Sequence, residues 1–164
     1  MKNHSEHTNM EQKSNEIKKF LSEANKNSYA DKKAVKADSS RLKSEDYHFE
    51  KGKFIYHDTY FGSRDFMGEE IIYEDKNPIW GANYFGFIID NKINKEEIYD
   101  FLRNALMQDY ESDIPVRGPK DFTRGDWNYK LFIKGILANF HGEEQILFKG
   151  KIVYKCLIQG GFIK

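Results

Sequence analysis

The feature that most constrains the fold of this chain is an internal repeat. Residues 66–73, with the sequence FMGEEIIY, reappear as residues 140–147, FHGEEQIL, at an offset of 74 positions (142 − 68). The offset continues without a gap, because Gly86 aligns with Gly160 in the same way. A repeat at fixed spacing indicates that one structural unit occurs twice. It predicts an antiparallel β unit in two copies related by a pseudo-twofold axis.

Hydrophobic periodicity predicts two helices beside these copies. Apolar residues at helical spacing from Ile17 to Ala24 indicate a helix at about 15–25. Asn94, with Glu97 three residues later, is typical of a helix N-terminus and predicts a second helix at about 94–108. We therefore expect an α+β fold, in which a strongly twisted antiparallel β-sheet is built from two tandem β-hairpin repeats. The repeats are predicted at about 66–89 and 140–163.

The remaining segments are polar. Residues 1–13 contain no apolar stretch and are predicted to form a disordered tail, which leaves 14–164 as a single α+β domain with an internal repeat. Segment 26–46 is long and polar, so it is either disordered or a lid over a site. Segment 109–125 contains two prolines and a glycine and is predicted to lack regular structure.

Charge and cysteine content exclude several classes of function. The chain has 26 Lys plus Arg and 26 Asp plus Glu. This balance argues against a nucleic-acid surface, which needs a basic excess, and against attraction to a membrane surface. A single cysteine, Cys156, allows no intramolecular disulfide, as is common in the cytoplasm. We expect a cytoplasmic protein without direct nucleic-acid or membrane binding.

The strand predicted at 79–89 is apolar on both faces, which two short helices cannot cover. A homodimer is the simplest explanation of the excess apolar surface.

Carboxylates are the candidate catalytic groups. Adjacent strand residues point to opposite faces, so one glutamate of each Gly-Glu-Glu faces inward. Two inward carboxylates can share a proton, bind a cation or perform acid–base chemistry. The candidate catalytic residues are the repeat glutamates Glu70 and Glu144, together with Asp58 of the strand predicted at 54–60. The alternative is structural, since carboxylates on edge strands deter aggregation and the glycine can mark a bulge.

Aromatic residues surround the candidate ligand site. Asp58 shares a strand face with two tyrosines, and burying it without partners is costly. It is therefore either a site residue with a raised pKa or part of a hydrogen-bond network. A second aromatic group can stack on a flat ligand or belong to the core. The predicted ligand-binding residues are Tyr56, Asp58, Tyr60, Trp80, Asn83 and Tyr84. The histidines lack metal-ligand spacing and no phosphate loop is present, so we expect neither a metal nor a cofactor.

Several short runs resemble a known family. They are YFG (60–62), FMGEE (66–70), PIWGANYFG (78–86), PVRGP (115–119) and GGFIK (160–164). Together they resemble a bacterial domain of unknown function that occurs alone, or downstream of an Xre-type helix-turn-helix in transcriptional regulators. The resemblance runs from about Ile17 to Lys164. It implies, by analogy, a domain that senses a ligand or dimerises. The first helix is too short and solitary to be a helix-turn-helix, so we expect no direct DNA binding.

These observations favour a binding domain over an enzyme. The leading hypothesis is a ligand-binding or sensor domain, or a dimerisation domain, with its pocket between the curved sheet and segment 26–46. One alternative is a small hydrolase or isomerase that uses Asp58 or a repeat glutamate as general base. Another is a protein-interaction module.

Overall fold

One antiparallel β-sheet and two helices make up the fold. The computed structural model describes residues 2–164, with side chains from Glu11 onwards. The elements, in chain order, are α1 (Lys2–Lys26), β1 (Glu45–Lys51), β2 (Phe54–Gly62), β3 (Phe66–Glu74), β4 (Asn77–Ile88), α2 (Lys95–Leu106), β5 (Asp121–Arg124), β6 (Trp127–Ile136), β7 (Asn139–Phe148) and β8 (Lys151–Phe162).

The sheet contains eight strands in the order β1-β2-β3-β4-β8-β7-β6-β5, and every neighbouring pair is antiparallel. The chain forms two four-stranded meanders, and these meet where the last strand of each, β4 and β8, pair. The predicted α+β class with an antiparallel sheet and two helices is confirmed. The strand β5 corrects the sequence prediction, because it lies within segment 109–125, which was predicted to lack regular structure. Its four residues are too few for periodicity to reveal.

Helix α1 is longer than predicted. It begins at Lys2 rather than near residue 15. Met1 lies outside the described residues. The stripe from Ile17 to Ala24 packs into the core as expected. Nearer the N-terminus, an ion pair between Lys13 and Glu74 at 2.8 Å attaches α1 to β3.

Helix α2 begins as the sequence predicted. The Asn94 side chain accepts a hydrogen bond from the Glu96 amide at 3.0 Å, which confirms the predicted N-cap. The buried face of the helix contacts the sheet through Ile98, Phe101, Leu102 and Ala105.

The two faces of the sheet differ. Both helices pack on one face, here called the inner face, and alternate strand residues there form the core. No helix among the described residues 2–164 covers the opposite, outer face. None of the helices in this range has the length and apolar character needed to cross a membrane.

The strand register departs from regularity at two places, neither of them at the repeat glycines. Shifts occur between Ile72 and Tyr73 and between Ile146 and Leu147. Gly68 stays in register with both neighbouring strands, so the interpretation of the glycine as a bulge marker is wrong.

Candidate functional site

The inner face of β1–β4 forms one wall of a cavity of about 510 Å³. The opposite wall consists of the end of α1, the following segment 27–44, and α2. The polar part of the lining includes Asp58, Glu70 and Arg117. The aromatic part consists of Phe66 and six tyrosines: Tyr29, Tyr47, Tyr56, Tyr60, Tyr84 and Tyr99.

Two carboxylates lie side by side in this wall. Asp58 of β2 is directly opposite Glu70 of β3, and each is only 3% exposed. Opposed residues of an antiparallel pair have their Cβ atoms about 5 Å apart. The Tyr84 hydroxyl donates a hydrogen bond to Asp58 Oδ1 at 2.5 Å. Glu70 Oε2 is buried and has no hydrogen-bond partner in the part of the chain that the structure describes.

Burial raises the pKa of both carboxyl groups. It raises the pKa of Asp58 to about 6, although the hydrogen bond from Tyr84 and the charge of Arg117 oppose the change. Burial, followed by the neighbouring charge of Asp58, raises the pKa of Glu70 to about 8. Two such groups titrate as a pair. Near neutral pH the two groups together therefore hold about one proton.

The sequence makes room for this arrangement at Gly68. A Cβ atom at this position would lie 2.5 Å from the Tyr84 hydroxyl oxygen. A carbon and an oxygen atom that are not bonded to each other cannot lie so close. A larger residue at position 68 would therefore displace the Tyr84 hydroxyl. The glycine of the first Gly-Glu-Glu run thus leaves room for the Tyr84 hydroxyl, which donates to Asp58.

The second repeat glutamate has a different environment. Arg117 donates to both oxygens of Glu144, from Nε and Nη2, each at 2.9 Å. The hydroxyls of Tyr129 and Tyr154 donate to the same carboxylate at 2.8 and 3.0 Å. Glu144 is fully buried, and this bidentate ion pair with two tyrosines satisfies both its oxygens. It neutralises the charge of Arg117.

Segment 27–44 covers the cavity. The ring of Tyr29 meets that of Tyr60 edge-on with centroids 6.0 Å apart, and the Arg103 guanidinium lies over Tyr29 at 4.7 Å. The far end of the segment is tied to the sheet through Asp46, which accepts hydrogen bonds from Ser40, Ser44, His57 and Thr59. Burial opposes ionisation of Asp46, but these bonds outweigh it and hold its pKa well below the usual range.

The structure brings together four of the six predicted ligand-binding residues, Tyr56, Asp58, Tyr60 and Tyr84, on the cavity wall. Trp80 lies on the same face but away from the cavity, where its Nε1 donates to the Leu137 carbonyl at 3.1 Å. Asn83 points to the outer face, because it is adjacent to Tyr84 in the same strand.

Two of the three candidate catalytic residues lie together, and the third lies apart. Asp58 and Glu70 are neighbours in the cavity wall. Glu144 lies on β7, and strands β4 and β8 lie between β7 and β3. Its carboxylate is bound by Arg117. The cavity thus contains one carboxylate pair, formed between adjacent strands and not between the two repeat glutamates.

Sequence reasoning missed the cationic and lid residues of the site. Arg117 belongs to the run PVRGP, where prolines and a glycine remove any periodicity that would predict its direction. An arginine enclosed by two prolines was the available signal. Tyr29 lies in segment 26–46, which was predicted only as a disordered region or a lid. Over the described residues, no group of three or more His, Cys, Asp or Glu side chains is placed to hold a metal ion.

This arrangement can recognise a ligand that donates hydrogen bonds. The unpartnered Glu70 oxygen can accept one, and the proton of the pair can be given up or retained as the ligand requires. The tyrosine rings provide apolar surface with polar edges.

Comparison with known proteins gives one match. The family model described as a domain of unknown function (DUF5680) matches residues 58–163. The matched range contains Asp58, Glu70, Tyr84, Arg117 and Glu144. No curated protein and no solved structure matches the chain.

Proposed function

The chain belongs to the DUF5680 family, and we propose that its domain binds a small organic ligand in the cavity beneath segment 27–44. The observation that carries this proposal is Glu70 Oε2, a buried oxygen without a partner among the described residues. Such atoms are rare in folded proteins, because each costs free energy unless something completes its hydrogen bonding. A ligand with a donor group would complete it.

The shape and chemistry of the cavity also support binding. Its volume of about 510 Å³ falls within the range typical of small-molecule sites, about 300–1,000 Å³. Such sites combine apolar or aromatic walls with a few polar groups that fix orientation. Here, tyrosine rings supply the walls, and Asp58 and Glu70 supply the polar groups.

Ligand-observed NMR with a fragment library tests the proposal. We expect fragments whose binding weakens in Tyr84→Phe, which removes the hydrogen bond to Asp58, and in Glu70→Gln. Asn83→Ala on the outer face is the matched control and should leave binding unchanged. The proposal fails if no fragment binds, or if binding is insensitive to both cavity substitutions.

A sensor role in the cytoplasm is the finer form of this proposal. The resemblance to domains attached to helix-turn-helix regulators supports it by analogy. The position of segment 27–44 supports it physically, since a ligand entering the cavity would contact Tyr29 and its cation partner Arg103. Protection of segment 27–44 from hydrogen exchange should rise when a fragment binds, and unchanged protection would contradict the sensor role.

We also propose that the protein forms a homodimer through its outer face. A row of apolar side chains crosses adjacent strands there, with Met67 opposite Phe85 and Phe85 opposite Leu157. These three side chains are 48–59% exposed, and contiguous apolar surface of this kind favours an interface. Light scattering should give a dimer for the wild type and a monomer for Phe85→Lys. A wild-type monomer at micromolar concentration would contradict the proposal.

The internal repeat remains our proposal for how the sheet is built. The two register shifts are themselves 74 positions apart (146 − 72). Tyr84 pairs directly with Ile158, which lies 74 positions later (158 − 84), as a twofold axis between β4 and β8 requires. The hairpins β3–β4 and β7–β8 are the two units in this proposal.

The second candidate function is hydrolysis or isomerisation with Asp58 as general base. The observation that favours it is the buried carboxylate pair, since pKa values near the working pH suit proton transfer. A substrate screen should then find turnover that Asp58→Asn abolishes and Glu69→Gln, a change on the outer face, retains. Retained turnover in Asp58→Asn would exclude this role.

A further inference from the structure

We propose that the ligand of this cavity is a small organic cation whose ammonium group binds between Asp58 and Glu70. This inference rests on the proposed function and adds the charge of the ligand to it. Its basis is the charge balance of the buried groups. Among the described residues, three buried carboxylates of the inner face, Asp58, Glu70 and Glu144, face a single buried guanidinium, that of Arg117. The fourth buried carboxylate, Asp46, lies on the outer side.

The one buried cation is already occupied. Arg117 donates through Nε and Nη2 to the two oxygens of Glu144, each at 2.9 Å, and this carboxylate neutralises its charge. An anionic ligand would have to compete with this bidentate pair, and breaking a buried ion pair is costly. It would also approach Asp58 and Glu70, whose charges repel it. The interior therefore disfavours anions.

Three cations and three carboxylates at the cavity mouth balance one another. Lys32 bonds Asp100 at 2.6 Å, Arg103 lies 3.6 Å from the same carboxylate, and Lys36 pairs with Glu45. The third carboxylate of the lining is Asp31. The mouth therefore adds no positive field that would draw in an anion. The carboxyl groups of Asp58 and Glu70, which have no cationic partner among the described residues, lie deeper in the cavity.

The aromatic lining suits an organic cation and not a bare metal ion. The rings of Tyr56 and Tyr84 lie beside the carboxylates, and burial raises the pKa of both phenols well above the usual value, so they remain neutral. A neutral tyrosine ring attracts a cation through its face. Only two carboxylates converge here, too few to supply the six to eight oxygen ligands that Ca²⁺ prefers.

A bound cation would take over the role of the shared proton. Without a ligand, the proton keeps the pair from carrying two buried negative charges. An ammonium group supplies that compensation, so the proton leaves the pair for solvent when the ammonium binds. Binding of a cation is thus coupled to release of about one proton near pH 7, whereas an anion would bind with proton uptake.

Other titratable and charged groups surround the pair. They are Tyr47 from β1, Tyr56 and Tyr60 from β2, Tyr84 from β4, Tyr29 from segment 27–44, Tyr99 and Arg103 from α2, Tyr110 and Arg117 from the following connection, and Glu144 from β7. His57 and Asp46 act from the outer side of β2 and β1. The tyrosines and arginines keep their protonation state between pH 6 and 8. Loss of the proton release in Glu70→Gln would assign the proton to the carboxyl pair and not to His57.

The test uses sets of fragments matched in shape and differing in charge, such as tyramine, 4-ethylphenol and 4-hydroxyphenylacetate. Ligand-observed NMR identifies binders, and calorimetry in two buffers of different ionisation enthalpy counts the protons released. We expect amines to bind better than their neutral and anionic partners and to release about one proton at pH 7. Glu70→Gln should weaken amine binding by about tenfold to a hundredfold and remove the proton release.

The two proposals fail in different ways. Fragments that bind in the cavity as anions or neutral molecules, with proton uptake or none, would overturn the cation assignment and leave the ligand site intact. Displacement of every amine by millimolar Mg²⁺ or Ca²⁺ would also overturn it. Absence of binding by all three charge classes would refute the ligand site itself. Glu143→Gln, on the outer face of β7 with Lys155 as its ion-pair partner, is the control and should bind amines like the wild type.

Discussion

Replacing Glu70 by glutamine should make the protein more stable at neutral pH. The substitution keeps the shape of the side chain and removes a buried group whose ionisation is unfavourable. In the wild type, the folded state holds the Glu70 proton up to a pKa of about 8, whereas the unfolded chain releases it near the ordinary value of 4.5. Folding therefore takes up a proton between these pH values, and the stability of the wild type falls as pH rises through this window.

The size of the effect follows from the pKa difference. Each unit of difference corresponds to about 1.4 kcal/mol, so the 2.5 units between 4.5 and pH 7 correspond to about 3 kcal/mol. We expect Glu70→Gln to exceed the wild type in unfolding free energy by on the order of 3 kcal/mol at pH 7. Below pH 4.5 the advantage should vanish, because the carboxyl group is then neutral in both states.

Urea denaturation followed by tryptophan fluorescence, repeated from pH 4 to pH 8.5, measures this difference. Glu69→Gln is the matched control, since its carboxylate lies on the outer face with Arg41 as its ion-pair partner. The control should follow the wild-type pH profile. The reasoning is refuted if Glu70→Gln is less stable than the wild type at pH 7, or if the difference between them does not change with pH.

Three further substitutions test the packing around the cavity. Arg117→Met leaves Glu144 buried without its cation, so we expect a loss of about 3–5 kcal/mol in urea denaturation, and a loss below 1 kcal/mol would contradict the ion pair. Gly68→Ala would place a methyl group 2.5 Å from both the Tyr84 hydroxyl and the Thr59 backbone oxygen, so the neighbouring strand must shift and stability in urea denaturation should fall; unchanged stability would contradict the close packing at Gly68. Ile146→Ala empties a fully buried site and should cost about 2–5 kcal/mol of stability, whereas a neutral effect would contradict the packed core.

Elements with strong local signals were predictable from the sequence. The Asn94 cap and the apolar stripe of α2 depend on contacts within one helix, and the structure contains both. Alternation along β2 placed Tyr56, Asp58 and Tyr60 on one face, where they line the cavity together. Local periodicity carries this information because each residue's direction in a helix or strand follows from its position.

Features that depend on distant parts of the chain were not predictable. The ion pair between Arg117 and Glu144 joins residues that are 27 positions apart. Arg117 lies in a connection without periodicity, so the direction of its side chain could not be predicted. The pairing of Asp58 with Glu70 depends on strand register, which the hairpin connection sets. Asn83 was grouped with Trp80 and Tyr84 by chemistry, although alternation places its side chain on the other face.

The central claim is that Asp58 and Glu70 form a proton-sharing pair that binds the ligand. Carboxyl ¹³C NMR of the folded protein, titrated with and without a bound amine, tests it most directly. The account predicts that free Glu70 titrates with a pKa of about 8 and that the amine lowers this pKa. A Glu70 pKa near 4.5 in the free protein, or one that no binding fragment changes, would contradict it.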